Sequence, residues 1–116
     1  MKLSIEQLRQ FEQQGYVICK DLFTSEEMKT LRGALQEILN DDIDRPGVSR
    51  EKNSKAPRLI YGADQFNEVF ARLVRHPRWM EPAKQILESD VYIHQLRINP
   101  KAPYEGEGFW WHQDFS

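Results

Sequence analysis

Cysteine is almost absent from this sequence: its 116 residues contain a single one, Cys19. One cysteine excludes an intramolecular disulfide framework. Cys19 ends a mostly apolar run, residues 16–19, and a thiol in such surroundings is far more often a buried, inert side chain than a nucleophile. We therefore expect Cys19 to be structural.

The sequence also lacks an excess of charge of either sign and a long apolar run. Its 16 basic residues stand against 18 acidic ones, a formal net charge of −2, which provides no basic surface for nucleic acid. No stretch approaches the ~18 apolar residues of a membrane span. Residues 1–6 turn polar without the apolar core of a signal peptide. We expect a cytoplasmic protein that has neither nucleic acid nor a membrane as partner.

The first part of the chain is rich in helix signals. A length of 116 residues with 40% hydrophobic and 29% charged residues suits one globular domain. Two capping boxes, which begin at Ser4 and Thr24, precede apolar residues at helical spacing. They predict amphipathic helices over 5–14 and 25–40. The β-forming residues 16–19 between them are typical of a strand.

The second part mixes loop, helix and strand signals. Residues 44–57 are polar and without periodicity, which is typical of a connecting loop. Strands are predicted at 58–61, 91–99 and 109–112, and helices between Asp64 and His76 and from Pro77 to about Ser89. His76 is interpreted as a capping or surface histidine rather than a ligand. Helices that precede strands in this way indicate an α+β fold, with helices packed against an antiparallel sheet.

The strand predicted at 91–99 has one unusually polar face. Gln95, Arg97 and Asn99 alternate along it, and such a face suits either the wall of a polar pocket or a half-exposed edge strand. Periodicity alone does not choose between these two interpretations.

The last stretch of the chain has the strongest chemical content: residues 109–116 read FWWHQDFS. His112 and Asp114 are two positions apart, and on a strand such residues point to the same face. An imidazole beside a carboxylate forms two thirds of the 2-His-1-carboxylate triad of non-haem Fe(II) oxygenases. Most such pairs are surface hydrogen bonds, so the pair by itself leaves both interpretations open.

Several separated stretches resemble the phytanoyl-CoA dioxygenase family, in particular its hydroxylases of proline and of ectoine. The stretches that carry the resemblance are LVRHPR at 73–78, QIL at 85–87, DVYIHQLRINPKAP at 90–103 and WHQDF at 111–115. The resemblance implies an α+β fold in which N-terminal helices pack on the start of a double-stranded β-helix, the jelly-roll or cupin-like barrel. Residues 1–116 would be the N-terminal portion of a single oxygenase domain, and the second half of the β-helix would be absent.

The same resemblance implies roles for individual residues. His112 and Asp114 correspond to iron ligands. Lys101 falls where the family has a lysine that contacts 2-oxoglutarate, and Gln95 falls where a glutamine contacts the substrate. The implied cofactors are Fe(II), 2-oxoglutarate as co-substrate and O2, and the implied reaction is hydroxylation of a small amino-acid-like substrate. Gln113 replaces a serine of ectoine hydroxylases, which favours the proline type.

The implied site is incomplete in this sequence. The second histidine of the family and the arginine that pairs with 2-oxoglutarate come later than Ser116. We therefore expect the 116-residue chain to be an inactive part of an enzyme. The alternative is a non-catalytic remnant that acts as a binding module or forms a homo-oligomer through its unfinished sheet, which exposes Phe109, Trp110 and Trp111. A metal-free or zinc-bound cupin-like binder is a third hypothesis.

Overall fold

A computed structural model describes residues 1–41, 46–104 and 106–114. Its elements follow in the order α1 (Ile5–Gln14), α2 (Ser25–Asn40), β1 (Val48–Arg50), β2 (Pro57–Tyr61), a short 3-10 helix (Ala63–Gln65), α3 (Glu68–Val74), α4 (Pro77–Leu87) and β3 (Arg97–Ile98). Four helices and a small antiparallel sheet in the described part confirm the predicted α+β class.

The first two helices begin at the capping boxes that predicted them. The Ser4 hydroxyl accepts a hydrogen bond from the Gln7 N–H at 3.2 Å, and the Gln7 side chain accepts one from the Ser4 N–H at 2.9 Å. Thr24 forms the corresponding pair of bonds at the start of α2. These bonds satisfy backbone donors that have no partner inside a helix. The predicted bounds of α1 and α2 are therefore confirmed.

The later helices were predicted less accurately at their starts. The helix expected from Asp64 is instead a 3-10 turn followed by α3, which begins after Asn67. The Asn67 carboxamide oxygen accepts hydrogen bonds from the first backbone N–H groups of α3. His76 caps α4 as predicted, because its Nδ1 accepts a hydrogen bond from the Arg78 N–H at 3.2 Å.

The sheet has the order β1-β2-β3, with β2 in the centre and both pairings antiparallel. Ile60 of β2 lies opposite Val48 of β1 and Ile98 of β3. β1 falls inside the segment predicted to be a loop, so the loop prediction was wrong for Val48–Arg50. Residues 44–45 of that predicted loop lie outside the described residues.

Three predicted strands are absent or much shorter in the described chain. Residues 16–19 and 109–112 are not strands, and the strand predicted over 91–99 is limited to Arg97–Ile98. The partner strand explains the last difference. β2 ends at Tyr61, and the chain then turns at Gly62 into the 3-10 helix, which leaves residues before Leu96 without a neighbouring strand.

The core lies where α2 and α3 pack on the sheet. Its buried side chains are Ala34 of α2, Ile60 of β2, Ala63 of the 3-10 helix and Phe70 of α3. Partly buried apolar residues surround them: Leu31, Leu35, Ile38, Leu39, Val48, Val69, Leu73, Leu96 and Ile98. Cys19 is partly buried rather than fully buried. In the described part of the chain, no helix is long and apolar enough to cross a membrane.

Hydrogen bonds and an ion pair attach α4 to the rest of the chain. The Gln85 carboxamide exchanges two hydrogen bonds with the backbone of Leu3, at 2.6 Å and 3.2 Å. The Arg78 guanidinium donates to the Leu22 carbonyl at 3.0 Å and contacts the Glu27 carboxylate at 2.6 Å. These contacts hold the N-terminal residues and the start of α2 against α4.

Candidate functional site

The predicted iron ligands lie in residues 106–114, a segment that carries neither helix nor strand in the structure. The last two residues of the motif, Phe115 and Ser116, lie outside the described residues. His112 and Asp114 are nevertheless side by side: the imidazole Nε2 is 3.3 Å from the carboxylate Oδ1. Both side chains are exposed, 58% for His112 and 82% for Asp114, so solvent reaches the pair.

A hydrogen bond to the backbone determines which nitrogen of His112 faces the carboxylate. The imidazole Nδ1 lies 2.7 Å from the Trp110 carbonyl oxygen, and a carbonyl can only accept. Nδ1 therefore carries the hydrogen, and in the neutral imidazole the lone pair is on Nε2, the atom that faces Asp114. Ligating histidines commonly have their other ring N–H bound to a carbonyl in this way. The Nε2 lone pair and the Asp114 carboxylate oxygen therefore face the same space, which suits a cation.

The pair fits a divalent metal in donor type and in separation. Two donors about 2.1 Å from one ion and at right angles to each other are about 3.0 Å apart. The 3.3 Å between Nε2 and Oδ1 is close to that separation. Imidazole and carboxylate are the ligand types of the non-haem Fe(II) triad. Across residues 1–41, 46–104 and 106–114, no three His, Cys, Asp or Glu side chains are close enough together to hold a metal ion.

Gln95 is exposed and lies just before β3. With its carboxamide oxygen turned towards Arg97, it accepts hydrogen bonds from the guanidinium. Gln95 also lines an open cavity of about 210 Å³ together with Tyr61, Asp64 and His94. The amide is thus accessible to a polar ligand, but no hydrogen bond in the described chain joins it to the pair.

Lys101 is exposed at the start of the loop that leads to the pair. Its aliphatic stem packs against Gly106, where an added Cβ would clash with the Lys101 side chain. The Gly106 N–H also donates to the Ala102 carbonyl at 3.3 Å, which closes the loop. Within the described residues the Lys101 ammonium has no carboxylate partner, so its charge is available to an anion.

The other two histidines, His76 and His94, lie outside the segment that carries the pair. His76 caps α4 and packs edge-on against Phe23, with ring centroids 5.4 Å apart. His94 is exposed beside Gln95 and lines the cavity next to that residue. In the described chain neither histidine joins a group that could hold a metal with His112 and Asp114.

One cluster that contacts the segment carrying the pair could not be predicted from the sequence. Arg58 of β2 binds Glu107, and the buried Glu51 accepts a hydrogen bond from the Glu107 N–H. Glu51 belongs to the stretch that was interpreted as a solvated loop, and a lone glutamate among polar residues carries no signal of burial. Only the pairing of β1 with β2 brings it beside Arg58.

Comparison with known proteins adds independent observations. Residues 11–116 match the sequence profile of the family described as "Phytanoyl-CoA dioxygenase (PhyH)". Two similar curated proteins are an "Ectoine dioxygenase" of Bordetella bronchiseptica, 36% identical over 115 residues, and one of Halomonas elongata, 39% identical over 115 residues. Each alignment covers 97% of this chain, but only 37% and 35% of the respective relative.

Two crystal structures are similar over the same range. EctD from S. alaskensis with 2-oxoglutarate and 5-hydroxyectoine superposes with a TM-score of 0.91 at 33% identity, and the same protein with bound Fe gives a TM-score of 0.90. The match covers 97% of this chain and 41% of EctD. The chain therefore spans between 35% and 41% of the length of these relatives.

Proposed function

The chain belongs to the phytanoyl-CoA dioxygenase family, and from that membership we propose that it is the N-terminal part of an Fe(II)/2-oxoglutarate-dependent hydroxylase. The observation that carries the proposal is the His112–Asp114 pair, with Nε2 and Oδ1 3.3 Å apart and Nδ1 hydrogen-bonded to a carbonyl. Residues 1–116 form one portion of a single oxygenase domain, and the remaining strands of a double-stranded β-helix belong to the complete protein.

The substrate is a small, cyclic, amino-acid-like molecule of the ectoine or proline type. The names of the relatives and the 5-hydroxyectoine in one EctD structure support the ectoine type. Gln113 is the residue in favour of the proline type, because it replaces a serine of ectoine hydroxylases. Both substrates are zwitterionic or strongly polar, which suits the exposed carboxamide of Gln95.

Each predicted residue has a defined task in this proposal. His112 and Asp114 would hold the iron through Nε2 and a carboxylate oxygen, and the Trp110 carbonyl keeps the imidazole in the ligating tautomer. Fe(II) with bound 2-oxoglutarate supplies the activation of O2 for hydroxylation. Lys101 would attract a carboxylate of the 2-oxo acid, and Gln95 would orient the substrate through its amide.

The described residues supply two ligands, so the complete site needs more of the protein. We place a second histidine and an arginine for the distal carboxylate of 2-oxoglutarate later in the reading frame than Ser116. Two exposed ligands hold Fe(II) weakly, and we therefore expect the 116-residue chain to show no turnover by itself. A downstream reading frame without a further histidine and arginine would contradict this arrangement.

The experiment that tests the proposal is succinate formation by the protein expressed from its complete reading frame. Succinate formation should require Fe(II) and 2-oxoglutarate and should be coupled to hydroxylation of ectoine or of proline, supplied in parallel. His112→Ala should lower the rate by more than about 100-fold, which exceeds the usual effect of disturbing only an outer partner. Tyr92→Ala is the control, because Tyr92 is 83% exposed and lies outside the segment that carries the pair. Undiminished activity in His112→Ala would refute the assignment.

One observation favours a second candidate, a non-catalytic binding or oligomerisation module. Trp110 and Trp111 are 92% and 103% exposed, and Phe109 is 44% exposed. Contiguous exposed aromatic residues are typical of surfaces that another chain or another segment covers. Self-association of the isolated chain without any Fe(II)-dependent activity in the complete protein would favour this candidate.

A further inference from the structure

Arg58 is the residue through which β2 contacts the segment that carries the candidate iron ligands. Its Nη1 is 2.7 Å from the Glu107 Oε2, and its Nη2 donates to the Gly108 carbonyl at 3.5 Å. The guanidinium carbon lies 4.6 Å from the centroid of the Phe109 ring. Three successive residues, about fifty positions later in the sequence, are thus bound by one side chain.

Glu51 contributes from the other side of the same cluster. Its side chain is 5% exposed, its Oε1 accepts a hydrogen bond from the Glu107 N–H at 3.4 Å, and its Oε2 lies 3.6 Å from the Arg58 Nη1. A buried carboxylate is costly unless a positive group compensates its charge. Arg58 therefore neutralises Glu51 and holds Glu107 at the same time.

The contacts of Arg58 and Glu51 hold the start of segment 106–114, which has no strand pairing in the described chain. Arg58 and Glu51 form hydrogen bonds with Glu107 and Gly108. His112 follows a few residues later in the same segment. We propose that Arg58 is a positioning residue: it anchors residues 107–109 on β2 and thereby sets where His112 and Asp114 stand relative to the sheet. This inference rests on the proposed function of the pair as iron ligands.

A lysine cannot replace this arginine completely. A guanidinium presents several N–H donors in a planar fork and a flat face for an aromatic ring, whereas an ammonium is a point charge. Arg58→Lys should keep the charge that compensates Glu51, and with it the fold, but should lose the simultaneous contacts to Gly108 and Phe109. The substitution therefore separates the positioning role from simple charge compensation.

The test measures Co(II) binding to the protein expressed from its complete reading frame, with Co(II) as a redox-stable probe of the iron site. The dissociation constant and the visible absorption of bound Co(II) are recorded beside the thermal unfolding midpoint. Arg58→Lys should weaken Co(II) binding by about 10- to 100-fold, the range typical of residues that orient metal ligands, and leave the unfolding midpoint nearly unchanged. Arg72→Lys is the control, because Arg72 is 80% exposed and pairs with Glu68 on α3.

A second variant keeps the test decisive if Arg58→Lys does not fold. Glu107→Gln breaks the 2.7 Å ion pair from the partly exposed side, leaves Glu51 compensated, and should also weaken Co(II) binding. Folded Arg58→Lys and Glu107→Gln proteins with the wild-type Co(II) affinity would overturn the positioning role. If Co(II) affinity is the same in the wild type and in His112→Ala, the proposed iron site itself fails.

Discussion

At the scale of single residues, the candidate iron ligands are organised by contacts within a few positions of the chain. The Trp110 carbonyl orients His112, and the Asp114 carboxylate lies 3.3 Å from its Nε2. The three residues involved lie within five positions of one another, so the alignment depends on contacts that are local in sequence. Exclusion of water is a separate property, and both side chains remain solvated.

Among the residues that the structure describes, Glu27 at the start of α2 has a strongly shifted pKa. The Arg78 guanidinium and then the Thr24 N–H lower the pKa of Glu27 from 4.5 to about 2. A lowered pKa in the folded state stabilises the fold above pH 4.5, and this stabilisation is lost as the pH falls from 4.5 towards 2. Glu27→Gln should therefore be less stable than the wild type at pH 7, and the difference should shrink in that acidic range, as measured by urea unfolding at several pH values.

Glu26→Gln is the matched control for this pH dependence. Glu26 lies in the same first turn of α2 and carries the same charge, so the substitution removes the same interaction with the helix dipole. It should leave the pH dependence of stability close to that of the wild type. A glutamine at position 27 still fits a capping box, so lost capping does not explain the effect. An equal stability difference between wild type and Glu27→Gln at pH 7 and near pH 2 would contradict the ion-pair explanation.

At the scale of secondary structure, helices were predicted well and strands poorly. α1 and α2 begin where hydrogen bonds between residues three apart start them, and such bonds can be read from sequence. A strand depends on a partner that is distant in sequence. Residues 16–19 have β-forming side chains but no neighbouring strand in the described chain, whereas Val48–Arg50, in a stretch predicted to be a loop, pair with β2.

The central strand β2 should be the most sensitive element to loss of packing. Ile60 is 1% exposed and lies opposite a residue of each neighbouring strand. Ile60→Ala should lower the free energy of unfolding by about 2–5 kcal/mol, and Ile60→Val by about 0.5–1.5 kcal/mol. Urea unfolding followed by circular dichroism measures both. A loss for Ile60→Ala no larger than that for Ile60→Val would show that the site is not tightly packed.

At the scale of the whole molecule, the chain is more extended than a self-contained domain. Its radius of gyration is 16.4 Å, whereas a compact domain of this length has about 13 Å. Five hydrophobic residues are buried in the described part, and large aromatic side chains such as Tyr104, Trp110 and Trp111 are almost fully exposed. A small core with exposed aromatic residues is what we expect of the proposed N-terminal part of a larger oxygenase domain.

Self-association of the isolated chain is the expected consequence of this surface. Sedimentation velocity over a concentration series should show oligomers of the 116-residue chain, because exposed aromatic groups gain free energy when they leave water. The double substitution Trp110→Ser/Trp111→Ser should shift the chain towards the monomer. Tyr92→Ser is the control, since Tyr92 is 83% exposed but lies outside this segment. A monomeric wild type at all concentrations would count against the binding-module candidate.

The sequence by itself determined the features that depend on neighbours along the chain: the capped starts of α1 and α2, the His76 cap of α4, and the spacing of His112 and Asp114. The tertiary structure alone decided which distant residues meet. It turned part of a predicted loop into β1, limited β3 to two residues, and brought Arg58 and Glu51 against residues 107–109. The physical reason is that capping hydrogen bonds join residues only three or four positions apart. Strand pairing and buried ion pairs depend instead on distant partners that the local sequence does not specify.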